Sequence, residues 1–135
     1  MTELAFAGDS RFEVSAMEIE RGGLSYTVDT LEALATQNPG AELVLLVGMD
    51  AIRTFEKWKQ PERIRELARL AVLARSGEGW LLPEGVEIVT TRRIDVSSTE
   101  IRARVRARLS LRGFVSDSVE KFISAAKLYA GNLNA

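Results

Sequence analysis

Five apolar residues in a row, Leu43 to Val47, lie between the turn signal Asn38-Pro39-Gly40 and a glycine, Gly48. A run of this length is far too short to span a bilayer. It predicts a strand over Glu42 to Gly48 that is buried on both faces, as strands of parallel sheets are. That expectation constrains the fold more than any other feature, because a strand covered on both faces needs a layer of helices on each side.

The flanking pattern supplies helices and further strands. Tyr26 to Ala35 reads as a helix, with Val28, Leu31 and Ala35 on one face and Ser25 or Thr27 as the N-cap. Arg21-Gly22-Gly23 breaks the chain before it, and Phe12 to Ile19 alternates loosely, as a strand does. Asp50 to Phe55 suggests a short helix. Pro61 suits the first turn of another, with Ile64, Leu67, Ala68 and Ala71 at helical spacing, running on into a strand over Leu70 to Ala74. Ser76 to Gly85 reads as a loop and Val86 to Thr90 as a strand. Ser97 and Glu100 have capping-box spacing and open a helix whose stripe is Ile101, Val105 and Leu109. A last helix begins near Asp117, which has the same spacing to Glu120, with Val119, Phe122, Ile123 and Ala126 facing the core. Strands alternating with helices imply an α/β fold, a parallel sheet with helices on both faces. At 135 residues a single domain over 1–135 is expected.

Composition excludes several chemistries. The chain has neither cysteine nor histidine. Disulfide scaffolds, thiolate or imidazole zinc sites, cysteine nucleophiles and Ser-His-Asp catalysis are therefore impossible within it. Apolar residues make up 46% and charged residues 27%, a globular balance rather than a disordered one. The formal charge is 18 − 19 = −1, which gives no overall pull toward nucleic acid or anionic membrane. The first seven residues lack the basic start and long apolar stretch of a targeting signal, so a cytoplasmic protein is expected.

The charge is unevenly spread: residues 1–50 sum to 2 − 9 = −7 and residues 92–135 to 9 − 4 = +5. Seven arginines fall between Arg92 and Arg112. Such a stretch is either a solvated helix face or a phosphate site, since arginine offers phosphate a planar fork of donors. No known nucleic-acid motif accompanies it. Neither Gly-x-x-x-x-Gly-Lys-Ser/Thr nor Gly-x-Gly-x-x-Gly occurs. Four other segments could bind a ligand. Ser97, Ser98 and Thr99 put hydroxyls at a helix start with Arg102 on its first turn, where free N–H groups and the dipole favour anions; a plain cap by Ser97 explains the same pattern. Gly48 and Asp50 follow the buried strand, at the strand end where ligands of open α/β sheets sit, or Asp50 only caps a helix. Trp58, in a charged stretch, could stack on a flat ring or simply be half-buried packing, and Trp80 reads as packing alone. Ser25, Tyr26 and Thr27 follow a glycine turn at a helix start whose amides could take a carboxylate, or serve only as a cap.

Together these segments resemble bacterial nicotinate mononucleotide adenylyltransferase, a Rossmann-like nucleotidyltransferase family. The matching residues are Arg11 to Ser15, Glu20-Arg21-Gly22-Gly23 with Ser25-Tyr26-Thr27-Val28-Asp29-Thr30, Leu46 to Ala51, Phe55, Trp58, Lys59, Arg75, Arg93 to Arg102 and the tail Val119 to Tyr129. The resemblance implies transfer of AMP from ATP to nicotinate mononucleotide, giving nicotinate adenine dinucleotide and pyrophosphate in NAD synthesis, with Mg2+ carried on ATP. It implies that Ser98, Thr99 and Arg102 hold ATP phosphates, with Ser97 beside them. It implies that Gly48 and Asp50 lie along the nucleotides and Arg75 near the adenosine end. Ser25, Tyr26 and Thr27 with the nearby backbone would hold the nicotinate carboxylate, and Trp58 would stack on the pyridine.

One departure bears on catalysis. The family opens with a strand and a Gly-Gly-Thr-Phe-Asp-Pro-x-His-x-Gly-His loop whose histidines steady the α- and β-phosphates, and nothing here matches it. On the resemblance, residues 1–135 are expected to be roughly the C-terminal two-thirds of the fold, lacking its first strand and helix, with apolar strand edges exposed. The expectation is then a chain weakly active or inactive alone. The alternative is a non-catalytic nucleotide-binding module or a truncated fragment. A second copy of the chain could cover the exposed edge.

Overall fold

The run Leu43 to Val47 does form a strand, and its environment is where structure and expectation first part. A computed structural model describes residues 1–75, 82–91 and 95–130. In chain order these form α1 (Thr2–Phe6), α2 (Met17–Arg21), α3 (Thr27–Gln37), β1 (Leu43–Gly48), α4 (Met49–Ile52), a 3-10 turn (Phe55–Lys57), α5 (Pro61–Leu67), β2 (Ala68–Arg75), β3 (Val86–Thr91), α6 (Ser98–Arg106) and α7 (Asp117–Ala125). They divide into two compact units, Ala16–Arg93 and Met1–Ser15 with Ile94–Ala135.

The first unit is built on a parallel sheet in the order β1-β2-β3. Register pairs Leu45 with Leu70 and Leu70 with Val86, which sets these residues on one face, together with Leu43, Val47 and Val72. Against that face pack Val28 and Leu31 of α3, Ile52 of α4, Phe55, and Ile64 of α5. Burying each such side chain contributes about 1.5–3 kcal/mol. The fold is α/β and Rossmann-like, a parallel sheet flanked by helices. The expectation that β1 is buried on both faces is corrected. Within this unit the helices cover one face, and Val44 and Leu46 on the other are 47% and 52% exposed. Apolar content alone does not distinguish one covered face from two. Among the described residues β1 is also an edge strand.

Local signals place most boundaries. Gly22 and Gly23 adopt left-handed φ of 67° and 71°, which interrupts the chain before α3. Pro61 occupies the first turn of α5. Helix spacing carried Ala68 and Ala71 into α5, but both belong to β2: the chain turns extended at Ala68 (φ −148°, ψ 145°). Alanine suits either state, and pairing of β2 with strands on both sides decides it. The strand expected over Phe12 to Ile19 is absent. Residues 12–16 follow an irregular path, where Phe12 packs on Phe6 with ring centroids 4.6 Å apart, and Met17–Arg21 is helical. Loose alternation does not by itself make a strand; ladder pairing does.

In the second unit α6 and α7 share a small core of Leu111, Val119 and Ile123, with Ile101, Val105, Val115 and Leu128 against it. Leu109 was expected to continue the α6 stripe. The helix stops at Arg106, Arg108 turns left-handed (φ 56°), and Leu109 is left 55% exposed. Phe122 and Ala126 are likewise exposed rather than core. Glu120 does not complete a capping box with Asp117; its carboxylate accepts from the Leu111 amide at 3.0 Å, and Ser116 is the N-cap. The Ser118 hydroxyl donates to the Leu4 carbonyl at 2.8 Å and ties α1 to α7. Trp80 with Ser76 to Leu81, and Arg92 to Ile94, lie outside the described residues. Among the described residues no helix is long and apolar enough to cross a membrane.

Ile64→Ala should lower unfolding free energy by about 2–5 kcal/mol, because Ile64 is fully buried among α3, the 3-10 turn and β2. Leu46→Gln should change it by less than about 0.5 kcal/mol. Urea unfolding of both variants checks the asymmetry.

Candidate active site

The start of α3 and the stretch around Trp58 form one hollow. The N-cap of α3 is Tyr26, extended at φ −111° and ψ 139°. Ser25 and Thr27 were both weighed as the cap, but no side chain caps this helix. The Asp29 and Thr30 amides donate to the Tyr26 carbonyl at 3.1 and 3.3 Å. The first amides of the helix are therefore left without a side-chain oxygen, at its positive dipole end. The Thr30 hydroxyl donates to Glu18 at 2.6 Å, which fixes α2 beside the helix.

The facing wall is held from below. Phe55 is fully buried in the core, and the Trp58 ring packs on it with centroids 5.5 Å apart and planes at 54°. The Trp58 indole N–H donates to the Thr54 hydroxyl at 3.3 Å. Trp58 is half-buried, with its remaining surface lining a cavity of about 270 Å³. Ser25, Tyr26 and Thr27 line the same cavity, with Lys57, Lys59 and Ile64. Four residues singled out in the sequence thus meet in one place. The sequence reading gave no role to Lys59. Its ammonium lies 2.9 and 3.1 Å from the two Asp29 oxygens and 4.5 Å from the Tyr26 ring centroid. Residues 30 apart carry no local spacing signal for such a pair.

Gly48, Asp50 and Arg75 stand at the carboxyl ends of strands. Gly48 ends β1 and caps α4, so Asp50 is not the cap it was weighed as; it lies exposed in the first turn. Gly48 pairs with Leu73, which puts Arg75 two residues further along the neighbouring strand, at the end of β2. Gly48 and Asp50 are not among the walls of the Trp58 cavity.

The phosphate-site candidates belong to the other unit. Ser97 caps α6, its hydroxyl accepting from the Glu100 amide at 3.1 Å. The Arg102 guanidinium donates to the Thr99 hydroxyl at 3.3 Å, one turn of helix away. Ser98 and Arg102 border a small hollow of about 140 Å³ with Ile101 and Val119. Arg104 is otherwise engaged: it donates to the Ser110 carbonyl at 2.9 Å and lies 4.3 Å over the Phe114 ring.

Comparison with known proteins decides the family. Residues 1–104 match the cytidylyltransferase-like family. A relative from Gemmatimonas aurantiaca, named a probable nicotinate-nucleotide adenylyltransferase, is 44% identical over 96% of this chain and 66% of its own. One of the same name from Thermus thermophilus is 42% identical over 96% of this chain and 70% of its own. The chain belongs to the nicotinate-nucleotide adenylyltransferase family. It spans about two thirds of the length of these relatives, 66% and 70%. A crystal structure titled as a putative nicotinate-nucleotide adenylyltransferase from Vibrio parahaemolyticus superposes with a TM-score of 0.65 at 18% identity, covering 98% of this chain and 69% of that one, which supports the fold.

Ser97→Ala removes the side-chain acceptor for the Glu100 amide and should destabilise the chain by about 1 kcal/mol. Ser97→Asp should restore most of the loss. Thermal unfolding of the pair of variants tests whether the cap is energetically real.

Proposed function

We propose that the chain binds nicotinate mononucleotide in the Tyr26–Trp58 cavity and serves adenylyl transfer from ATP to it. The observation that carries this reading is the cavity itself: an uncapped helix start facing an indole, with two lysines in its walls. Uncapped amides and cations suit a carboxylate, and the indole suits a flat ring. The family's activity fits both, because the acceptor is a pyridine acid.

In this reading the reaction joins an oxygen of the acceptor's 5′-phosphate to the α-phosphorus of ATP and breaks the bond to the β-phosphate, releasing pyrophosphate. Such transfers depend on alignment and on stabilising charge at phosphate oxygens. Ser25, Tyr26 and Thr27 receive the carboxylate and Trp58 stacks on the pyridine. Gly48 and Asp50 run along the nucleotides, and Arg75 lies at the adenosine end. Ser97, Ser98, Thr99 and Arg102 hold the ATP phosphates, with Arg102 supplying charge and the first-turn amides supplying donors. Magnesium enters with ATP, which is its usual habit with nucleotides. In this reading the chain works in the cytoplasm.

A second reading rests on the absence of histidine from the 135 residues. In it the chain binds nucleotide without catalysing transfer. The two part on turnover. The chain should give saturable heat with nicotinate mononucleotide in calorimetry, and Trp58→Ala should weaken that binding about 5- to 150-fold, the worth of one stacked ring. Pyrophosphate release by these 135 residues alone should fall far below that of the Thermus thermophilus relative. No saturable heat defeats the acceptor site, and release at the relative's rate defeats the expectation of slow turnover.

A further inference from the structure

The Trp58 side chain is held at two places. It packs on Phe55, with ring centroids 5.5 Å apart and planes at 54°, and Phe55 is fully buried. Its indole N–H donates to the Thr54 hydroxyl at 3.3 Å. That hydroxyl gives its own proton to the Ala51 carbonyl of α4 at 3.0 Å. A hydroxyl has one proton and two lone pairs, so with the proton spent on Ala51 it meets the indole as an acceptor. An indole N–H can only donate. The two bonds therefore run in one direction, and each polarises the next. A tilted contact with Phe55 leaves the indole free to turn about its own side-chain bonds. The bond at its N–H edge removes that freedom and sets the ring plane relative to α4.

We propose that Thr54 is a positioning residue, whose hydroxyl holds the Trp58 indole in the plane on which a ligand's flat ring stacks. The inference rests on the reading that the Tyr26–Trp58 cavity takes the pyridine of a mononucleotide. Thr54 is not among the walls of that cavity, so it acts through the indole and not on the ligand. Ring pairs depend on their mutual geometry. A ring fixed before the ligand arrives also has less rotamer freedom to lose on binding. Threonine suits the task because branching at Cβ restricts χ1, and with it the direction of the hydroxyl. Both bonds lie in exposed surroundings. A methyl group in place of the hydroxyl therefore leaves no enclosed polar atom unpaired, and the Thr54→Val chain should fold.

The test is a double-mutant cycle on the whole chain, read as the dissociation constant for nicotinate mononucleotide in calorimetry. Thr54→Val should weaken binding about 2- to 10-fold, the worth of one side chain's lost freedom. Trp58→Phe keeps a flat ring but has no N–H. In that background Thr54→Val should change binding by less than about 1.5-fold, because the coupling is gone. Thr54→Ser keeps the hydroxyl and should recover most of the loss. The second readout is the Trp58 indole proton in NMR, assigned by its disappearance in Trp58→Phe. It should exchange with water faster in Thr54→Val than in wild type or Thr54→Ser. A role for Thr54 unrelated to the indole would weaken binding alike in both backgrounds and leave the exchange rate unmoved. Equal effects in the two backgrounds, a loss in Thr54→Val smaller than expected, no recovery in Thr54→Ser, or an unmoved exchange rate each overturn the inference while the cavity reading stands. Wild-type chain that does not bind nicotinate mononucleotide overturns the cavity reading and the inference with it.

Discussion

The packing of Val28, Ile52, Phe55 and Ile64 against β2 is the contact on which the Tyr26–Trp58 cavity depends. These side chains come from α3, α4, the 3-10 turn and α5, and all four are essentially inaccessible to solvent. Their burial fixes where α3 begins and where the chain passes Trp58. Phe55 is the hinge of this arrangement, because one face belongs to the core and another carries the indole. The Arg65 guanidinium lies 4.8 Å over the same ring and also bonds Glu56 and the Glu84 carbonyl. Across the α3–α5 contact, hydrogen bonds to Glu66 and then Glu32 hold Arg63 above its ordinary pKa. These exposed pairs add little energy by themselves; they orient helices that apolar burial has already placed.

Much of this was legible in the sequence, for identifiable reasons. Pro61, the glycine pair at 22–23, the turn at Asn38-Pro39-Gly40 and the cap at Ser97 are local devices, and local devices are written in adjacent residues. The run Leu43 to Val47 announced a strand for the same reason. What the sequence left open was partnership. Whether Val44 and Leu46 meet a second layer, whether Phe12 to Ile19 finds a neighbouring strand, and whether Leu109 and Phe122 reach a core all depend on elements distant in the chain. Periodicity reports which residues could be buried, and only packing reports against what.

The site divides along the same line. Ser25, Tyr26 and Thr27 stood apart from Trp58 in local patterning and were joined only by the family resemblance, and the fold does gather them around one cavity. The uncapped state of α3 was not recognisable. Two hydroxyls flank Tyr26, and either reads as a cap by proximity, yet the residue that takes extended dihedrals at the boundary is the tyrosine. A helix start whose own side chains do not cap it leaves its first amides to water or to a ligand. At α6 the reverse holds, since Ser97 satisfies the Glu100 amide and leaves the earlier amides and Arg102 to define what the helix end can bind.

Charge shows why local seating outweighs totals. The chain is nearly neutral, and its basic surplus lies between Arg92 and Arg112, away in sequence from the lysines of the acceptor cavity. Within that surplus Arg104 is committed to Ser110 and Phe114, so the count of arginines overstates the charge free to meet a ligand. Arg102 sits one turn into a capped helix, and its planar fork suits the several oxygens of a phosphate. Lys59 is a compact point charge on a flexible stem, which suits a single carboxylate once the stem is held. The two places therefore differ chemically as well as in position, with an arginine fork beside the start of α6 and a lysine anchored by Asp29 beside the start of α3.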